Sequence, residues 1–282
     1  MGHADEMDWA KPSADWQKTA VGPPHGALVI HGGNFGTEVL SVFLELAGGS
    51  QAPIVVMPTA RGQERAEDDA VLQDFRRAGA ANVTVLNARD HAEADSQAFV
   101  EPLRKARGVW LCGGRQWRLA DVYLHTAAHK ELFALLDRGG VIGGSSAGAS
   151  IQASYLVRGA PEGNHILMAE GHEEGFGFLR GVAIDQHLIQ RSRLDDMPQV
   201  IAAHPRLLGI GIDERTWIVV RGDRFKVMGA SQVGVYGAHG PPPSPGKPCA
   251  LLNPGDVFDM RSRTIVTDTK GAVLRPPEAE RP

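Results

Sequence analysis

Gly140–Ala149 reads GVIGGSSAGA. A short apolar strand runs into a Gly/Ser turn and then into small apolar residues. Gly144–Gly148 fits G-x-S-x-G, and it fits in the context that gives the motif meaning, directly after a strand. A serine on such a turn holds its hydroxyl out of the backbone, and small neighbours are needed because the chain is crowded there. Ser146 is therefore the candidate nucleophile. The N–H of Ala147 is a candidate oxyanion donor, and a helix N-terminus behind the serine would add partial positive charge.

Upstream of this turn, apolar runs alternate with helical patterns. The runs are Gly26–His31, Pro53–Met57, Asn82–Leu86 and Gly108–Cys112. Between them, helical spacing predicts helices over Thr37–Ala47, Glu67–Ala78, Ser96–Ala106 and, after the fourth run, Gln116–Asp137. Continuous apolar strands separated by helices of ten or so residues indicate a parallel sheet buried on both faces. Paired glycines at Gly32-Gly33, Gly113-Gly114 and Gly143-Gly144 are expected at strand ends, where open α/β sheets bind ligands. They account for part of a high glycine content, 34 residues in 282.

The second half changes texture. Short strands are expected at Gly181–Asp185, Gly209–Ile212 and Trp217–Arg221. Arg224–Gly237 reads as a hairpin region with Arg221–Arg224 as its turn. A Pro/Gly loop fills 240–248, and Asp256–Val266 supplies one or two late strands. Residues 1–24 read as an arm, and 25–282 as a single domain.

A serine hydroxyl needs a base. Of eleven histidines, His125 and His129 sit four apart but lack a third ligand, so they read as surface residues and no metal is expected. His187 follows a strand within Asp185–Arg193, a polar stretch carrying two arginines. After the strand Gly209–Ile212 come two carboxylates, Asp213 and Glu214; either can orient His187, and spacing leaves the choice open. The order Ser…His…acid differs from that of an α/β-hydrolase.

Composition narrows the classes further. Lys and Arg total 29 against 33 Asp and Glu, a formal charge of −4. No basic surplus exists to neutralise nucleic acid or an anionic membrane. Two cysteines, Cys112 and Cys249, exclude a disulfide scaffold. No run reaches the roughly 18 apolar residues of a membrane span. The polar start Met1–Asp8 does not read as a secretory leader, so a cytoplasmic protein with reduced thiols is expected.

Taken together, Leu28–Gly33, Ile54–Thr59, Gly113–Gln116, Gly144–Ala149, Ile184–Arg193 and Gly209–Glu214 resemble the cyanophycinase and dipeptidase E family of serine peptidases. The similarity runs from about Gly26 to about Gly237. It implies a class I glutamine amidotransferase-like α/β fold, a mostly parallel sheet flanked by helices with extra C-terminal strands. It implies Ser146 as nucleophile, His187 as base and Glu214, rather than Asp213, as acid. Ala147 with Gly113 or Gly114 would form the oxyanion hole. Gln116, Asp185, Gln186, Arg191 and Arg193 would line the substrate pocket. No cofactor is implied; a peptide or isopeptide substrate and a homodimer are.

Two positions depart from the family pattern. Arg115 stands where an acidic residue is usual, and Asp196 where a third arginine is usual. The reversed charges put β-aspartyl-arginine cleavage in question and leave the triad untouched. Two further readings keep the same residues: an esterase or non-peptide amidase using the triad, and a non-catalytic ligand-binding homologue.

Overall fold

The computed structural model describes residues 20–62, 69–237 and 246–266. Most of the expected arm, the expected helix start at Glu67 and most of the 240–248 loop lie outside these residues. Two sheets carry the fold. The larger has nine strands. Its parallel half comprises β1 (Ala27–His31), β2 (Ile54–Met57), β3 (Val83–Val85), β4 (Gly108–Leu111) and β5 (Val141–Ser145), in the spatial order β1-β5-β4-β2-β3. β9 (Thr216–Arg221), β10 (Arg224–Gly229), β13 (Val257–Asp259) and β14 (Thr264–Val266) extend it beyond β1 as antiparallel neighbours.

The smaller sheet has five strands in the order β12-β11-β8-β7-β6: β6 (Ala153–Tyr155), β7 (Leu179–Gln186), β8 (Leu208–Ile212), β11 (Val233–Tyr236) and β12 (Ala250–Leu252). The expected turn at 221–224 is present, since Arg224 pairs with Arg221. Arg224–Gly237 is not one hairpin region, however. β10 stays on the large sheet, whereas β11 crosses over and pairs with β8.

Alternation along the strands explains the layers. Val29 and Val141 point to one face and pack with α1 (Thr37–Ala47) and α2 (Asp69–Arg77) through Leu40, Phe43 and Phe75. Leu28, Ile30 and Ile142 point to the other face. There they meet α4 (Gln97–Lys105), α5 (Gln116–Tyr123), α6 (Ala127–Asp137) and the inner face of the smaller sheet, through Leu103, Leu119, Leu135, Ile184, Ile210 and Val235. The expected single helix over 116–137 is two helices. His125 adopts a left-handed φ of 64°, and the Thr126 hydroxyl caps α6 by accepting from the His129 N–H.

The pair Gly143-Gly144 lies inside β5 rather than at its end. A Cβ on Gly143 would stand 2.3 Å from the Trp110 ring, and one on Gly144 would stand 2.2 Å from the Gly148 carbonyl oxygen. The missing side chains let Trp110 and Phe43 pack flush on one face and let the chain after Ser146 fold back on the other. Two further short helices are α3 (His91–Ala94) and α8 (Met197–Ala203).

Candidate active site

Ser146 immediately follows β5, His187 immediately follows β7, and Glu214 lies two residues past β8. The carboxyl ends of strands from two different sheets therefore meet at one seam. Ser146 and His187 both have left-handed backbone, φ 55° each, a conformation that non-glycine residues adopt at a cost. At Ser146 it lifts the side chain off the turn. The one-turn helix α7 (Ala147–Ser150) follows. It is too short to supply the macrodipole expected behind the serine.

The three side chains are linked. Ser146 Oγ lies 2.9 Å from His187 Nε2, and Glu214 Oε1 lies 2.6 Å from His187 Nδ1. Asp213 points elsewhere. Its carboxylate accepts from the N–H groups of Ile189 and Gln190 and from the Ser231 hydroxyl, so it braces the turn that carries His187. Burial holds the His187 imidazole below its ordinary value near 6.5. The Glu214 hydrogen bond pulls the other way, and Arg191 and Arg193 add to the lowering. The pair is thus a neutral imidazole beside a carboxylate, the form in which histidine accepts a proton.

Gly113 lies against the serine: a Cβ there would stand 3.2 Å from Ser146 Cβ. Among the described residues, the N–H groups of Gly113, Gly114 and Ala147 have no acceptor. An oxyanion hole is built from N–H groups left available to substrate in this way.

The cleft beside Ser146 has a volume of about 700 Å³. Among the described residues, Arg61, Arg115, Arg118 and Arg191 line it with Asn34, Phe35, Asn164 and one acid, Asp74. Arg115 donates to Asn164 Oδ1 at 2.7 Å, and Asp74 is in an ion pair with Arg77. Of the five residues that the resemblance puts on the pocket wall, Arg191 alone lines this cleft.

The other four are buried behind it. Gln116 donates from Nε2 to the Val157 carbonyl. Arg193 donates to Asp185, to the Gln186 carbonyl and to Gln186 Oε1. Asp185 also accepts from Nε and Nη2 of Arg158, and Arg158 donates in turn to Asp196. Asp196 therefore presents no bare negative charge, since its partner is Arg158.

Arg158, Arg61 and Arg118 are not legible as site residues in the sequence. The only sign of Arg158 is a lone charge in an apolar run, Leu156–Pro161. Arg61 and Arg118 read as ordinary surface residues of a turn and a helix.

Among the described residues, no group of three His, Cys, Asp or Glu side chains could hold a metal ion. His129 is occupied at both ring nitrogens: the His125 N–H donates to Nδ1, and Nε2 meets the Phe176 carbonyl. No helix among the described residues is long and apolar enough to cross a membrane.

Comparisons with known proteins point the same way. The model of Peptidase family S51 matches residues 28–228. A cyanophycinase of Nostoc sp. (strain PCC 7120) is 30% identical over 93% of this chain and 92% of its own. A cyanophycinase of Geminocystis herdmanii is 31% identical over 71% of this chain and 75% of its own. Among solved structures, a peptidase from an acI-B1 Actinobacterium superposes with a TM-score of 0.65 at 25% identity, covering 84% of this chain and 98% of that one. A putative peptidase E protein from Listeria monocytogenes, at 17% identity and a TM-score of 0.54, shares the fold.

Proposed function

The chain belongs to peptidase family S51 and is a serine-type peptidase, and from that premise we propose that Ser146, His187 and Glu214 are its catalytic triad. The observation that carries the reading is the unbroken hydrogen-bonded line Ser146–His187–Glu214. In the reaction, Ser146 Oγ attacks the substrate carbonyl while His187 Nε2 takes its proton. Glu214 accepts from Nδ1–H, fixing the tautomer and balancing the imidazolium. The N–H of Ala147, with that of Gly113 or Gly114, receives the oxyanion. His187 then protonates the leaving amine, and water releases the acyl group by the same steps in reverse order. Residues 25–282 are read as one peptidase domain behind the 1–24 arm.

The substrate is read as a short peptide or isopeptide bearing a carboxylate near the scissile bond. Arg115, Arg118 and Arg191 of the cleft suit carboxylates. The two acids suited to a cationic side chain, Asp185 and Asp196, are engaged by Arg158. Among the described residues, the cleft thus offers little to the guanidinium of β-aspartyl-arginine.

The test is turnover of β-aspartyl-arginine, Asp-Ala and its neutral isostere Asn-Ala. Wild-type protein should prefer Asp-Ala, and Ser146→Ala should lower its turnover by about 10⁴-fold or more. Unchanged turnover by Ser146→Ala would overturn the triad. Equal use of Asp-Ala and Asn-Ala would overturn the carboxylate preference alone.

A further inference from the structure

The end of β1 is tied to every arm of the triad. The His31 carbonyl accepts the Ser146 N–H at 3.0 Å. The Gly32 carbonyl accepts the His187 N–H at 3.0 Å, and the Gly33 carbonyl accepts the N–H of Arg215, the residue after Glu214, at 2.9 Å. The Gly32 N–H donates to the Thr216 carbonyl, also at 3.0 Å. Three consecutive carbonyls thus set the relative positions of three loops that come from two sheets.

Side-chain packing reinforces this. The His187 ring lies directly on Gly33, where a Cβ would stand 2.2 Å from Cε1 and 2.6 Å from Nδ1. Gly33 has φ +129°, which a side chain would resist. A small shift of Gly33 therefore moves the ring that must meet both Ser146 and Glu214.

One side chain holds Gly33 in place. His31 Nδ1 accepts the Gly33 N–H at 3.0 Å. The His31 ring is 1% exposed, stacked on Trp217 with ring centres 5.9 Å apart and met edge-on by Phe35 at 6.0 Å. The two neighbours flank the ring, and all three border a cavity of about 690 Å³. The ring's acceptor nitrogen requires the tautomer protonated on Nε2. Burial, with His187 nearby, lowers its pKa to about 3, so the ring stays neutral and the acceptor persists across the ordinary pH range.

We propose that His31 is a positioning residue for the reaction: through Nδ1 it fixes Gly33 beneath the His187 ring and so aligns the Ser146–His187–Glu214 line. It does not touch substrate. The role rests on the triad reading above, and the experiment separates the two.

The measurement is the second-order rate of labelling by a fluorophosphonate probe, which reads Ser–His alignment without needing the natural substrate. His31→Leu fills the packed space and removes the acceptor. His31→Asn restores one, because an Asn side chain accepts the N–H two residues on in an Asx turn. Misalignment by about an ångström costs up to about a hundredfold, so His31→Leu should label at least about tenfold more slowly than wild type. His31→Asn should stay within about threefold of wild type, since its acceptor reaches the same N–H. Both should melt well above the assay temperature. If His31→Leu does not, His31→Gln replaces it; its acceptor sits one methylene too far from Gly33, and the same slowing is expected.

A His31→Leu protein labelled at the wild-type rate would overturn the proposal. So would equal slowing in His31→Leu and His31→Asn, which would mark a packing role only. Wild-type protein that Ser146→Ala shows to be labelled elsewhere than Ser146 would overturn the triad reading, and His31's role with it.

Discussion

Burial lowers the pKa of His187, and in the proposed role of general base it works only while neutral. A general base with a lowered pKa loses activity as pH falls through that lowered value, so the acidic limb of kcat/KM should lie below 6.5. Arg191 adds to the lowering. Arg191→Gln should therefore move the limb to higher pH, as a pH profile of probe labelling would show; an unmoved or lower limb would contradict this. Behind the cleft, Arg158 neutralises two acids at once. Arg158→Met would leave buried Asp185 with Arg193 and half-buried Asp196 without its ion-pair partner, and leaving a buried acceptor partly unsatisfied costs about 1–3 kcal/mol. Chemical denaturation should show a loss of that order. At this scale the sequence offered Ser146 and His187, which sit at strand ends beside quotable motifs; it left Asp213 and Glu214 open, and only the family resemblance chose Glu214. It did not name Arg158, whose role depends on a loop reaching across 27 residues of sequence to Asp185. The resemblance also put Gln116, Asp185, Gln186 and Arg193 on the pocket wall, where the structure has them buried behind the cleft.

Most strands and helices of the parallel half were legible because each is short and apolar or periodic, and several are bounded by Gly or Pro. Two element-level features were not. Helical spacing continues unbroken through Val122–Ala128, and only the left-handed His125 with the Thr126 cap divides α5 from α6. The assignment of β11 to a second sheet depends on its pairing with β8, a long-range choice that local pattern does not encode. Gly143 illustrates how an element is built for its neighbours. Gly143→Ala would press a methyl into the Trp110 ring, and overpacking of this kind costs about 1–3 kcal/mol. A lowered melting temperature is expected; an unchanged one would mean that the Trp110–Phe43 cluster yields without penalty.

At the scale of the molecule, net charge conceals the arrangement that governs recognition. The chain carries −4 overall, yet among the described residues the cleft gathers Arg61, Arg115, Arg118 and Arg191 around one acid. Attraction of a carboxylate into such a cleft is screened by salt. The preference for Asp-Ala over Asn-Ala should therefore narrow as ionic strength rises.

The site also shows why two sheets are needed. One carries the proposed nucleophile, the other the proposed base and acid, and the end of β1 ties them together. The proposed chemistry turns on Ser146 being the reacting group. Mass spectrometry of fluorophosphonate-treated protein tests that directly. A single adduct is expected on the peptide containing Ser146, lost in Ser146→Ala; a folded protein with no adduct, or an adduct on another residue, would contradict it.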